Sequence, residues 1–154
     1  MAASAPRQQA NAFLVFGGTL STIAAVLHLG CIAFGPDWYR ALGAGEQMAR
    51  MAESGSGYPA LVTSFIAAML LVWALLAFSA AGLVRRLPLL RTGLSLVTAI
   101  YLVRGIAVLP FIEHLPGRSV AFWWWSSAVC LVFGLVHLAG LRQVWGRLST
   151  AAAE

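Results

Sequence analysis

At 154 residues, 60% hydrophobic and only 10% charged, with a mean hydropathy of +0.84, the chain is far more apolar than a soluble domain, in which about 25% of residues are charged. This composition excludes disorder and argues against a water-soluble enzyme; it reads as an integral membrane protein. The net charge of +5 rests on ten basic residues, all Arg, which lie beside or between apolar runs. They read as topology signals and lipid-headgroup contacts, with no nucleic-acid partner implied, because no basic stretch interleaves with exposed aromatics.

In chain order, the first apolar run is Ala12 to Phe34, closed by Gly35-Pro36. A spanning helix needs about 20 apolar residues, whereas a signal-peptide core has about 7–15, so the run reads as a permanent span. Leu29-Gly30-Cys31 resembles the end of a lipoprotein signal, but His28 stands where that pattern has Leu. The connector Gly35 to Gly57 follows, with two short helical stretches, Asp37 to Leu42 and Gly45 to Glu53. In the second, Glu46, Arg50 and Glu53 share one face while Met48, Met51 and Ala52 take another, as in an interfacial helix or a lid over the bundle. Three more runs complete the pattern: Pro59 to Val84, Leu89 to Phe111 and Val120 to Leu141, the last preceded by a turn at Pro116-Gly117. Cys31 and Cys130 fall at different depths and are expected to be free thiols.

The sequence therefore predicts an all-α integral membrane four-helix bundle, one transmembrane domain over residues 1–154, N-in/C-in, with a short interfacial helical connector between the first two spans. Arg7, Arg85, Arg86, Arg91, Arg142 and Arg147 fall on one side, expected to be cytoplasmic. Arg40, Arg50 and Arg118, offset by Asp37, Glu46, Glu53 and Glu113, fall on the other. Trp123, Trp124 and Trp125 mark that outer interface. The use of Arg without Lys, with abundant Ala and Gly, suggests a bacterial inner membrane.

Small and polar residues pick out an inward face on each span, since helices in lipid associate through them. These are Gly17, Ser21, Ala24, Ala25, His28 and Cys31 on the first and Ser64, Ala67, Ala68 and Ala74 on the second. On the third they are Thr98, Tyr101, Arg104 and Gly105, and on the fourth Trp123, Ser127, Cys130, Gly134 and His137.

Arg104 is the costliest residue, at about 2.5–3.5 kcal/mol for a mid-span Arg, and no span contains a carboxylate. Its counter-charge must come from a loop acid, a lipid phosphate or a ligand; alternatively it snorkels to the headgroups. The candidate ligand-binding residues are Arg104, His28, Tyr101, Thr98 and Trp124, with Met48 and Met51 on the rim. No catalytic residue, metal or cofactor is assigned. His28 and His137 differ in depth by about 17 Å, which excludes a shared haem iron, and His28 with Cys31 is too small a set for zinc. Small multidrug exporters, membrane glutathione-handling enzymes and quinone-linked disulfide oxidases match in size and span number, but their signature residues are absent.

The expected function is binding of a membrane lipid, quinone or other amphiphilic small molecule in an outer-leaflet pocket around Arg104, without chemistry of its own. The alternatives are a structural or accessory subunit, and then a membrane enzyme or transporter. A homodimer through the Gly17-Gly18 stripe, or a partner membrane protein, is a further expectation.

Overall fold

The computed structural model describes residues 9–115 and 118–150, so Arg7, the expected turn at Pro116-Gly117 and Glu154 lie outside the described residues. Among these the chain is all-α. Its helices are α1 (Ala12–Phe34), α2 (Pro36–Ala41), α3 (Glu46–Glu53), α4 (Tyr58–Ala81), α5 (Leu90–Ala107) and α6 (Val120–Thr150), with a 3-10 helix over Leu109–His114. Four of them, α1, α4, α5 and α6, are long and apolar enough to cross a membrane, and the protein is a multi-pass membrane four-helix bundle. Large apolar side chains such as Leu61, Phe65, Val103 and Leu135 stand on its outward faces, as contact with lipid tails demands.

The ends of the helices follow from local chemistry. Gly82, in the left-handed region at φ 87°, closes α4 by donating its N–H to Ser79, while Leu83 N–H returns to Phe78. Pro59 occupies the first turn of α4, where a missing N–H costs nothing. The expected third span reaches Phe111, but α5 ends at Ala107. Pro110 lacks an N–H and disfavours helical geometry at the preceding residue, so the chain continues as the 3-10 helix. At the other end, α6 runs nine residues beyond Leu141. Arg86 holds this extension by donating from Nη2 to the Arg147 carbonyl at 2.6 Å, and the Arg91 guanidinium lies 3.9 Å from the Trp145 ring centre.

The spans form two antiparallel hairpins, α1 with α4 and α5 with α6, joined chiefly along α1 and α6. Glycines set the close approaches. A Cβ on Gly105 would stand 2.6 Å from Leu131 Cγ and 3.0 Å from the Leu131 backbone nitrogen. Gly134 meets Leu102 in the same way, at 2.7 and 3.0 Å. On α1, Gly17 faces the His137 ring and Gly18 the Phe78 ring. Both glycines are thus buried within the chain.

The expected inward faces of α1, α5 and α6 are the observed ones, with Ala24, His28, Arg104, Trp123 and Cys130 only half-buried. The face of α4 is corrected. Ser64 and Ala68 are exposed, and the buried stripe is Thr63, Ala67, Leu70, Ala74, Ala77 and Ala81. A hydroxyl need not face inward when it can bond its own helix, as Thr19 does to the Val15 carbonyl at 2.9 Å on the lipid-exposed side of α1.

The side of the bundle that carries both ends of the described chain is tied together by Asn11. Its Oδ1 caps α1 by accepting from Leu14 N–H at 3.0 Å, its Nδ2 donates to Gln143 on α6 at 2.7 Å, and its backbone N–H reaches the Ala81 carbonyl on α4. Loss of an N-cap costs about 0.5–2 kcal/mol. Asn11→Ala is expected at the upper end of that range in a reversible unfolding titration, because the interhelical bond to Gln143 is lost with the cap, while the backbone bond to Ala81 remains.

Candidate functional site

On the opposite side, α2 and α3 fold over the end of the bundle. Tyr39 and Ala49 are buried with Cys31 at the end of α1, and Met48 and Ala52 pack around them. Trp38 lies over Gly30, and Gly43, at φ 78°, lies over the Phe122 ring at the start of α6. Arg118 latches this cap by donating from Nη2 to the Ala44 carbonyl at 2.6 Å. The connector is therefore a cap seated on the helix ends, with Glu46, Arg50 and Glu53 turned to solvent. Met51 turns outward too, lining an open depression of about 490 Å3 with Glu46, Gln47, Arg50 and Ser54, away from Arg104.

Arg40 organises the charged surface of this cap. Its guanidinium meets Glu46 at 2.9 Å, Glu53 at 2.7 Å and Asp37 at 3.4 Å, while Arg50 meets Glu46 at 3.1 Å. Hydrogen bonds from Arg40, and then from Arg50, hold the Glu46 carboxyl down to about 2 from an ordinary 4.5. A depressed carboxylate contributes stability that is fully present above its unfolded value and is lost as pH falls through its folded value. The Glu46 contribution is therefore expected to be constant above about pH 4.5 and to disappear between there and pH 2. Limited proteolysis of the connector across this range checks it, with Glu46→Gln expected to be cut faster near neutral pH and to show a flatter acid dependence.

Beneath the cap sits Arg104. The paired contacts of Gly105 with Leu131 and Leu102 with Gly134 place its backbone level with Val132. Its Nη2 nevertheless donates to Ser126 Oγ at 2.9 Å, six residues or about 9 Å nearer the cap. The side chain thus snorkels along α6 until its guanidinium lies 5.5 Å from the Trp123 ring centre. No carboxylate lies within ion-pair distance of it among the described residues. Three of the loop acids are engaged by Arg40 and Arg50, and Glu113 lies at a separate cavity. A strut from Arg104 to a loop acid, one of the expected arrangements, is absent among the described residues.

Among the described residues, four buried polar atoms at this end have no hydrogen-bond partner: Arg104 Nη1, Trp123 Nε1, Ser127 Oγ and Tyr39 Oη. Ser127 is one helical turn below Trp123, and Tyr39 packs on Cys31. The Gly17–His137 contact places Cys31 level with Trp123 on antiparallel α6. All four atoms can donate, and two of them can only donate. A buried unsatisfied donor costs about 1–3 kcal/mol, and more when charged. Four such donors lie at one end of this small bundle.

The other expected site residues are distributed differently. Tyr101 points into the middle of the bundle, where its hydroxyl shares a 3.0 Å hydrogen bond with Ser21 and its ring packs on Trp73, Phe133 and His137. Thr98 is buried and donates back to the Leu94 carbonyl at 2.7 Å. His28 is level with Ser126, but its Nδ1 lies 2.7 Å from the Ala24 carbonyl of its own helix. Trp124 is 56% exposed and lines a cavity of about 200 Å3 with residues of the 3-10 helix, including Glu113 and His114. Arg104 is thus met directly by Ser126 and Trp123, while Ser127 and Tyr39 lie at the same end of the bundle. Trp123 and Ser127 were visible as part of an inward seam; Ser126 and Tyr39 carried no separate signal.

His137, fully buried, has Nδ1 2.8 Å from the Phe133 carbonyl and leaves Nε2 without a partner. It touches Gly17, eleven residues from His28 on α1, so the two histidines are separated by about 16 Å along the bundle. That spacing agrees with the sequence estimate. Among the described residues no group of three or more His, Cys, Asp or Glu is placed to hold a metal ion.

No protein-family model, curated protein or solved structure matches the chain, so its reading rests on this geometry.

Proposed function

We propose that the capped end of the bundle binds the headgroup of a lipid or other membrane amphiphile, with Arg104 as its anchor and without chemistry of its own. The observation that carries this reading is the set of four buried, unpartnered donors at the capped end of the bundle, one of them on Arg104 itself. A headgroup rich in acceptor oxygens satisfies them, while its tail lies against the apolar outer face of the α5–α6 hairpin.

The setting we propose is a bacterial inner membrane with both termini cytoplasmic, so that the site opens to the outer leaflet. Charge asymmetry supports this orientation. Arg85, Arg86, Arg91, Arg142 and Arg147 lie at the terminal side with no described acid, whereas the cap side mixes three Arg with four acids.

A ligand that binds only the folded protein raises its stability by RT ln(1 + [L]/Kd), about 2.7 kcal/mol at a hundredfold excess over Kd. Delipidated wild type is expected to melt several degrees higher when total membrane lipid extract is restored to the detergent. Arg104→Leu is expected to show no such increment. An equal increment in both proteins would reduce Arg104 to a snorkelling residue and overturn the reading.

A further inference from the structure

We infer that the headgroup held at this site carries a phosphate, gripped between Arg104 and Arg118. The inference rests on the proposed binding site and names the chemistry of its ligand. Arg118, in the segment leading into α6, lies with its guanidinium carbon 5.7 Å from the same Trp123 ring that Arg104 approaches at 5.5 Å. Two cations from separate elements therefore meet one indole, and its Nε1 is an unpartnered donor.

Neither guanidinium is matched by a carboxylate among the described residues. A quinone or a diacylglycerol offers acceptors but no charge, and it leaves both arginines without a counter-charge. A phosphate supplies one or two negative charges together with several acceptor oxygens, enough for Arg104 Nη1, Trp123 Nε1 and the Ser127 and Tyr39 hydroxyls. The first turns of α6 add the positive end of a long helix dipole close by. Arg118 also holds the Ala44 carbonyl of the cap, so the residue that latches the cap is one that would grip the phosphate.

The test compares ligands that differ only in the headgroup. Dioleoyl phosphatidic acid and dioleoylglycerol are titrated into delipidated protein in neutral detergent, with and without 10-fold excess inorganic phosphate over the lipid. Phosphatidic acid is expected to bind at least about tenfold more tightly than dioleoylglycerol. Arg118→Gln is expected to erase most of that preference, and Arg104→Lys to retain part of it. Displacement by inorganic phosphate would assign the site to the free anion, and resistance to it would assign the lipid; both support a phosphate. Equal binding of the two lipids that still depends on Arg104 would overturn the phosphate and leave the site standing. Absence of any Arg104-dependent binding would overturn both.

Discussion

Gly105→Leu is expected to drive α5 away from α6 and to lower stability by about 1–3 kcal/mol, the cost of forcing extra methylenes into a packed interface. In lipid no hydrophobic force holds these helices together; close van der Waals packing does, and it depends on small residues at the crossing. At Gly105 a new Cβ would meet Leu131 at its backbone nitrogen as well as its side chain, so rotamer change alone cannot relieve the clash. Gly134 stands in the same relation to Leu102, and Gly134→Leu is expected to behave alike. Gly146 is the internal control, because a Cβ there meets nothing within 4 Å. Gly146→Ala is expected to leave stability unchanged or to raise it by about 0.5–1 kcal/mol, as Ala in place of Gly generally does within a helix. Unfolding titrations of the three variants check the crossing. Similar midpoints at 105 and 146 would show that α5 and α6 do not approach as closely as described.

Arg104→Leu is expected to stabilise the empty protein while abolishing its response to lipid. The wild-type side chain brings a permanent charge into a helix end, makes one hydrogen bond to Ser126, and leaves Nη1 buried without a partner. A mid-membrane Arg costs about 2.5–3.5 kcal/mol on insertion scales, and snorkelling toward the cap recovers part of this. Leucine removes the charge and the unsatisfied donor together and leaves only Ser126 unpaired. A gain in ligand-free stability coupled to lost binding is the signature of a residue retained for function at the expense of the fold. A loss in ligand-free stability instead would mark Arg104 as a structural tie between α5 and α6. Paired thermal melts, delipidated and lipid-replete, separate the two.

The membrane bundle was legible in the sequence because apolar runs of spanning length, bounded by Gly and Pro, have few other solutions in lipid. Three of the four inward faces were legible as well, since Gly17, Ser21, Tyr101, Gly105, Gly134 and His137 repeat at helical spacing. The face of α4 was legible only in part, at Ala67 and Ala74 and not at Ser64 and Ala68. It is apolar all round, and Ser64 and Thr63 are neighbours in sequence with nothing local to choose between them. The length of α6 was not legible either, because Arg142 marks the end of the apolar run but does nothing to stop a helix, which runs on to Thr150.

Arg104 itself stood out as a charge among apolar neighbours. The direction of its side chain did not, because the register of α5 against α6 and the 9 Å run along α6 exist only once the hairpin is packed. Tyr101 was drawn into the expected site by its place one turn from Arg104, yet its hydroxyl serves Ser21 across the bundle. Tyr39 entered only through the folding of the cap, which its aromatic ring helps to seat.

Native mass spectrometry of the intact protein released from mild detergent tests the central claim most directly. Wild type is expected to carry one discrete lipid-sized mass, and Arg104→Gln, equally folded, to fly without it. The same mass retained in Arg104→Gln, or a bare wild-type protein, would contradict a headgroup site at Arg104.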